Sequence, residues 1–146
     1  MGGDNAPEIV VDGAAQARER FPDVHFLLFG DESRIEPLLR KHQRLAKSAT
    51  SRHTAGAVSS EERPAVALRQ GRNSSMQLAI NAVSSGEAAG VVSAGNTGAL
   101  MAMAKVTLKT LPGIDRPAIV APCPTRVGES AMLDLGANVE CNADNL

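Results

Sequence analysis

The segment Val92-Ser93-Ala94-Gly95-Asn96-Thr97-Gly98-Ala99 has the composition to hold an anion. Its apolar start reads as the end of a strand and its continuation as a helix, with only small and hydrogen-bonding residues between. Glycine lets the backbone approach a ligand closely, and the first amides of a helix point outward unpaired, with the positive end of the helix dipole behind them. A phosphate group suits such a corner, with Ser93, Gly95 and Gly98 as binding positions and Asn96 and Thr97 as candidate catalytic groups. An ordinary capped turn that holds nothing would use the same residues. No Gly-Lys-Ser/Thr follows and the spacing is not G-x-G-x-x-G, which weighs against ATP, GTP and NAD.

Asn73-Ser74-Ser75-Met76 is a second corner of this kind, in which Ser74 and Ser75 offer hydroxyls and amides at a helix start. N-capping alone accounts for one of the two serines. Met1-Gly2-Gly3-Asp4 makes a third, although a carboxylate beside a phosphate repels it unless a cation or proton intervenes, so Asp4 reads as a helix cap or an orienting group. Asp134-Leu135-Gly136-Ala137-Asn138 closes a strand with polar groups, and Asp134 and Asn138 join the catalytic candidates; the plainer readings are a capped turn, or an Asp134 buried and paired with a backbone donor.

Lys105 and Lys109 stand one helical turn apart, and Arg69 and Arg72 flank the Gly71 turn. These four would meet an acidic partner or neutralise phosphate, or simply be solvated. His25, His42 and His53 lack metal-ligand spacing, and no metal or other cofactor is expected. Cys123 has no histidine placed beside it in sequence and reads as an inert thiol.

The elements that must position these corners follow from pattern. Asp4 to Glu8 is a helix-start signal, and apolar spacing at Val10, Ala14 and Ala17 predicts a helix over 7–20. The run 24–29 predicts a strand buried on both faces, inside a parallel sheet. Helices are expected over 35–45, with Pro37 in the first turn, and over 64–69, 75–83 and 97–109. Strands are expected over 48–53, 90–93, 118–121 and 130–135. Alternation of this kind predicts a layered αβα fold with a mainly parallel sheet, ligands gathering at the carboxyl ends of its strands.

Composition narrows the rest. The chain has 146 residues, net charge -1 and 43% hydrophobic content, which fits a single globular α/β domain and gives no strong field for nucleic acid. Its only aromatic residues are Phe21, Phe26 and Phe29, so the core must be built from aliphatic side chains and close backbone approach. Cys123 and Cys141 form no C-x-x-C pair, which points to a reducing, cytoplasmic setting.

Taken in order, Met-Gly-Gly-Asp at 1–4, Ser-Ser-Met at 74–76, Ser-Ala-Gly-Asn-Thr-Gly-Ala-Leu at 93–100, Arg-Pro at 116–117 and Leu-Asp-Leu-Gly-Ala-Asn at 133–138 resemble the bacterial acyl-acyl carrier protein:phosphate acyltransferases. The resemblance implies a fold related to phosphotransacetylases and isopropylmalate dehydrogenases. It also implies acyl transfer from acyl carrier protein to inorganic phosphate for phospholipid synthesis, a homodimer, and peripheral membrane contact. Chains of that family are more than twice this length and carry a strand before the Met-Gly-Gly-Asp motif, so residues 1–146 correspond to a partial domain near the front. Two rival readings are a coenzyme A-dependent phosphate acetyl- or butyryltransferase and an inactive fragment that only binds a partner.

Overall fold

Phe26-Leu27-Leu28-Phe29-Gly30 forms strand β1, and a computed structural model, which describes residues 1–136, pairs it in parallel with β2, Ala49–His53. The register runs from Phe26 opposite Ala49 to Gly30 opposite His53. Helix α1, Glu8–Arg20, precedes β1, and α2, Glu32–Lys41, with the short α3, Gln43–Ala46, makes the crossover to β2. Asp31 starts α2 by accepting from the Ser33 amide at 3.0 Å. The helix therefore begins three residues before the expected position, and Pro37 lies inside it rather than in its first turn. Val11, Leu28, Ile35, Leu39 and Leu45 bury themselves together between these elements.

The second half of the core is helical. Helices α4, Pro64–Gln70, α5, Ser75–Ser84, and α6, Thr97–Leu108, pack on one another around Val58, Ala67, Met76, Ile80, Ala99 and Met103. Ala67, Ile80, Ala99 and Met103 are completely buried, which shows how a chain with three phenylalanines fills its interior: small residues bring the helices close and methionine fills the gaps. The chain then forms an antiparallel hairpin, β3, Ala121–Thr125, with β4, Gly128–Met132. The fold is a layered α/β arrangement with a parallel strand pair.

Three expectations are corrected. Residues 90–93 form no strand, and Val92 is 98% exposed. The physical reason is visible beside it: no strand offers this segment backbone partners, and an apolar cavity of about 730 Å³ lies between it and the unpaired edge of β1. Strand β1 is likewise not buried on both faces, since Phe26, Leu27 and Phe29 are half-buried on that cavity. The strands expected near 118–121 and 130–135 are the hairpin, shifted and antiparallel, and every residue of β4 is exposed.

Ile80 sits at the centre of the α4–α5–α6 cluster with no exposed surface. Ile80→Ala is expected to lower stability by about 2–5 kcal/mol through lost burial and a residual cavity. Val127→Ala, at a side chain 99% exposed, should stay within about 0.5 kcal/mol. Denaturant midpoints of the two variants check the contrast.

Candidate active site

The corners that sequence pattern singled out are joined by backbone-to-backbone contact at glycines. A Cβ on Gly2 would lie 3.2 Å from Gly95 Cα, and one on Gly95 would lie 3.3 Å from Gly2 Cα. Gly3, with φ +101°, would place a Cβ 2.6 Å from the Ala94 carbonyl oxygen. Any side chain here would push the first corner off the third, so glycine is needed for the approach itself.

Asn96 organises the corner from which α6 starts. Its Oδ1 accepts from the Ala99 amide at 2.9 Å, the usual N-cap bond. Its Nδ2 faces three backbone carbonyls, those of Ser59 and Ser60 at 3.1 Å and Glu62 at 2.8 Å. The Nδ2 hydrogens are thus engaged in tying the 59–62 loop to α6, which leaves the carboxamide no donor for an anion. Ser93 Oγ, half-buried, accepts from the Gly95 amide at 3.2 Å and tightens the turn. The amides of Thr97 and Gly98 find no acceptor among the described residues, and the Thr97 side chain is exposed. A Cβ on Gly98 would approach Pro64 Cγ to 2.8 Å, so glycine lets α6 start against α4.

The second corner is occupied differently from its neighbour. Ser74 is 3% exposed, its hydroxyl donates to the Gly71 carbonyl at 2.6 Å and accepts from the Gln77 amide at 3.2 Å, so it caps α5 and has no free donor for an anion. Ser75 is buried too and lines the 730 Å³ cavity together with Gly2 and Ser93, whereas Ser74 and residues 95–98 do not line it. Its amide donates to the Gly56 carbonyl at 2.9 Å.

Sequence reasoning passed over Thr54. Its hydroxyl donates to the Asn73 carbonyl at 2.5 Å and accepts from the Gly56 amide, while its own amide extends the β1–β2 pairing through the Gly30 carbonyl at 2.8 Å. It fastens the end of β2 to the Ser74 corner. A Thr-x-Gly step directly after a strand was the available signal, since a Cβ on Gly56 would sit 2.7 Å from the Asn73 carbonyl oxygen. Asp31, at the carboxyl end of β1, is held below the ordinary carboxylate range, chiefly by the Ser33 hydroxyl and against desolvation, with the Ser33 amide, His53 and Arg34 adding to the lowering.

Other expected residues fall outside this hollow. Asp4 is exposed and does not cap α1, whose first turn starts at Pro7 with no side-chain cap. Asp134 accepts from the distant Ile119 amide at 2.8 Å, which is the backbone pairing and not a cap within its own turn. Asn138 lies outside the described residues. Arg69 bonds its own helix through the Ala65 carbonyl, Arg72 is exposed beside Gly71, and Lys109 closes α6. Lys105 lines a smaller hollow of about 280 Å³ with Gly98, Pro64 and Arg116. No cluster of three or more metal-ligating side chains occurs among the described residues, and none of their helices is long and apolar enough to cross a membrane.

In layered α/β proteins ligands gather beyond the carboxyl ends of the strands, the edge at which the glycine-bearing corners of this unit meet. Comparison with known proteins makes this specific. A family model described as "Fatty acid synthesis protein" matches residues 1–146, and the chain belongs to that family. It is 67% identical over 146 residues to a phosphate acyltransferase of Rhodospirillum centenum, covering 100% of this chain and 41% of that one. Phosphate acyltransferases of Rhodospirillum rubrum and Paramagnetospirillum magneticum are 65% and 60% identical, again over the whole chain and 42% of each relative. The chain spans about two fifths of the length of these curated relatives.

Asn96→Ala is expected to cost about 1–3 kcal/mol, because the cap is lost together with the donor that faces three carbonyls. Asn96→Asp retains a cap acceptor yet turns a carboxylate oxygen toward those carbonyls, so it should also destabilise. Thermal unfolding of Asn96→Asp at wild-type temperature would show that capping is the residue's whole role.

Proposed function

We propose that the protein to which these 146 residues belong transfers a fatty acyl group from acyl carrier protein to inorganic phosphate, releasing acyl phosphate for phospholipid synthesis. The identity of the relatives as phosphate acyltransferases supports this reading. The structural observation that carries it is the pair of unsatisfied amides at Thr97 and Gly98, held at the positive end of a 12-residue helix beside glycine-lined backbone. An oxyanion placed there faces donors already oriented, with no side chain to rearrange.

Phosphate is already anionic near neutral pH, so its oxygen needs no strong base to attack the thioester carbonyl of the carrier's pantetheine arm. A tetrahedral oxyanion forms, the carbon–sulfur bond breaks, thiolate leaves, and acyl phosphate remains. The protein's part is to place phosphate and thioester together and to stabilise the developing charge. Thr97 contributes its amide and an exposed hydroxyl, Gly98 its amide, and Gly95 and Ser93 the shape of the turn. Asn96 acts by holding that turn in place.

The longer protein supplies the rest in this reading. A segment ahead of Met1 runs extended through the 730 Å³ slot, whose walls are the edge of β1, the 88–94 segment and apolar residues of α1 and α5. With that strand in place the sheet acquires the phosphotransacetylase- and isopropylmalate dehydrogenase-like layering. The homodimer, the peripheral membrane contact and the cytoplasmic setting belong to the same proposal, as does a landing surface for acidic carrier protein at Arg69, Arg72 and Lys109.

Thr97→Pro in the longer enzyme removes one of the two free amides at a helix position where proline is tolerated, and Asn96 is already extended at ψ 110°. The KM for phosphate should rise about tenfold, the equivalent of about 1.4 kcal/mol, with little change in unfolding temperature. Thr97→Ala keeps the amide and separates out the hydroxyl. An unaltered phosphate KM in Thr97→Pro would remove the turn from the mechanism, and equal turnover of acyl-coenzyme A would remove acyl carrier protein as the specific donor.

A further inference from the structure

Lys105 and Arg116 come from different parts of the chain and line one hollow. Lys105 lies on α6 two turns beyond Gly98, on the face shared by Met101 and Ala102, and Arg116 lies in the connection between α6 and β3. With Pro64 of α4 they surround about 280 Å³ of open space. Among the described residues no carboxylate lines it, and neither cationic side chain joins an ion pair or hydrogen bond. Two like charges that converge on a concavity without a counter-ion repel each other, and an anion between them relieves that repulsion. The floor of small and apolar residues leaves space for the group without competing for its oxygens.

We propose that this hollow is a subsite for a phosphate group, bound by the Arg116 guanidinium and the Lys105 ammonium. A guanidinium meets two phosphate oxygens at once, while an ammonium acts as a point charge on the remaining one. The identity of the ligand rests on the acyl-transfer reading; the existence of the subsite does not. Gly98 borders both the hollow and the free-amide turn, and Lys105 stands about 10 Å farther along the helix axis. A phosphodiester seated at the Lys105 end would send a pantetheine arm along α6 toward the turn. Inorganic phosphate waiting for transfer would offer the same oxyanion chemistry without the arm. Lys105 thus becomes a donor-binding group within the cleft rather than part of an outer protein-docking face.

Calorimetric titration of the longer enzyme with pantetheine 4′-phosphate, pantetheine and inorganic phosphate tests this at low salt. Binding of pantetheine 4′-phosphate is expected, weakened at least tenfold in Lys105→Met and in Arg116→Met, with the phosphate-free arm failing to bind. In steady state the same variants should raise the KM for acyl carrier protein more than the KM for phosphate. If inorganic phosphate binds with the same dependence on both side chains, the subsite stands and its ligand is the acceptor. Binding that is indifferent to the double variant, equal affinity for the phosphate-free arm, or no saturable heat with either phosphate probe overturns it. Both side chains are exposed, so unchanged unfolding temperatures confirm that the variants report on the site. An inert Thr97→Pro alongside intact calorimetric binding would sink the catalytic turn and leave this subsite standing.

Discussion

A carboxamide carries one acceptor oxygen and one nitrogen with two hydrogens, and at Asn96 both ends are engaged by backbone. The oxygen fixes where α6 begins. The nitrogen draws the 59–62 loop over that beginning, which stations Pro64 and α4 against Gly98. Without this tether the first turn of α6 would have no fixed relation to α4, and neither the free amides of Thr97 and Gly98 nor the hollow along the helix would keep their shape. The candidate site therefore depends on a residue whose own hydrogen-bond donors are spent on backbone and not on a ligand.

Glycine does the complementary work at the other side of the corner. Gly2 and Gly95 bring two backbones together at a distance that a methyl group would prevent, and Gly3 meets the Ala94 carbonyl under the same restriction. A core poor in aromatic residues makes this strategy coherent. Where large rings are absent, elements approach closely, and the polar backbone at the end of the β-layer is exposed to whatever binds there. Thr54 extends the pattern by fastening the end of β2 to the Ser74 corner. The outcome is a rim of oriented amides and hydroxyls supported by rigid elements rather than by mobile side chains.

The apolar slot beside β1 illustrates how strongly strands depend on neighbours. Val91 and Val92 have strand propensity, and β1 has an edge ready to pair, yet the two do not pair, and both line an apolar cavity of about 730 Å³. In the proposal for the longer protein the same slot receives the preceding segment. Helix faces on α1 and α5 already provide apolar cover for it.

Much of this was legible in the residues. The order of helices, the parallel pair at 26–30 and 49–53, the capping role open to Ser74 and the resemblance of the ordered motifs all follow from local pattern, because capping, periodicity and glycine placement act within a few residues. Tertiary structure decided what those residues were free to do. Asn96 looked like a group for substrate and is consumed by three distant carbonyls, Asp4 looked like a cap and is not one, and Arg116, noted in the sequence only as part of the Arg-Pro motif, lines one hollow with Lys105. The reason is that a side chain's hydrogen-bonding capacity is finite and is allotted by contacts across 30 or more positions, which sequence spacing does not record.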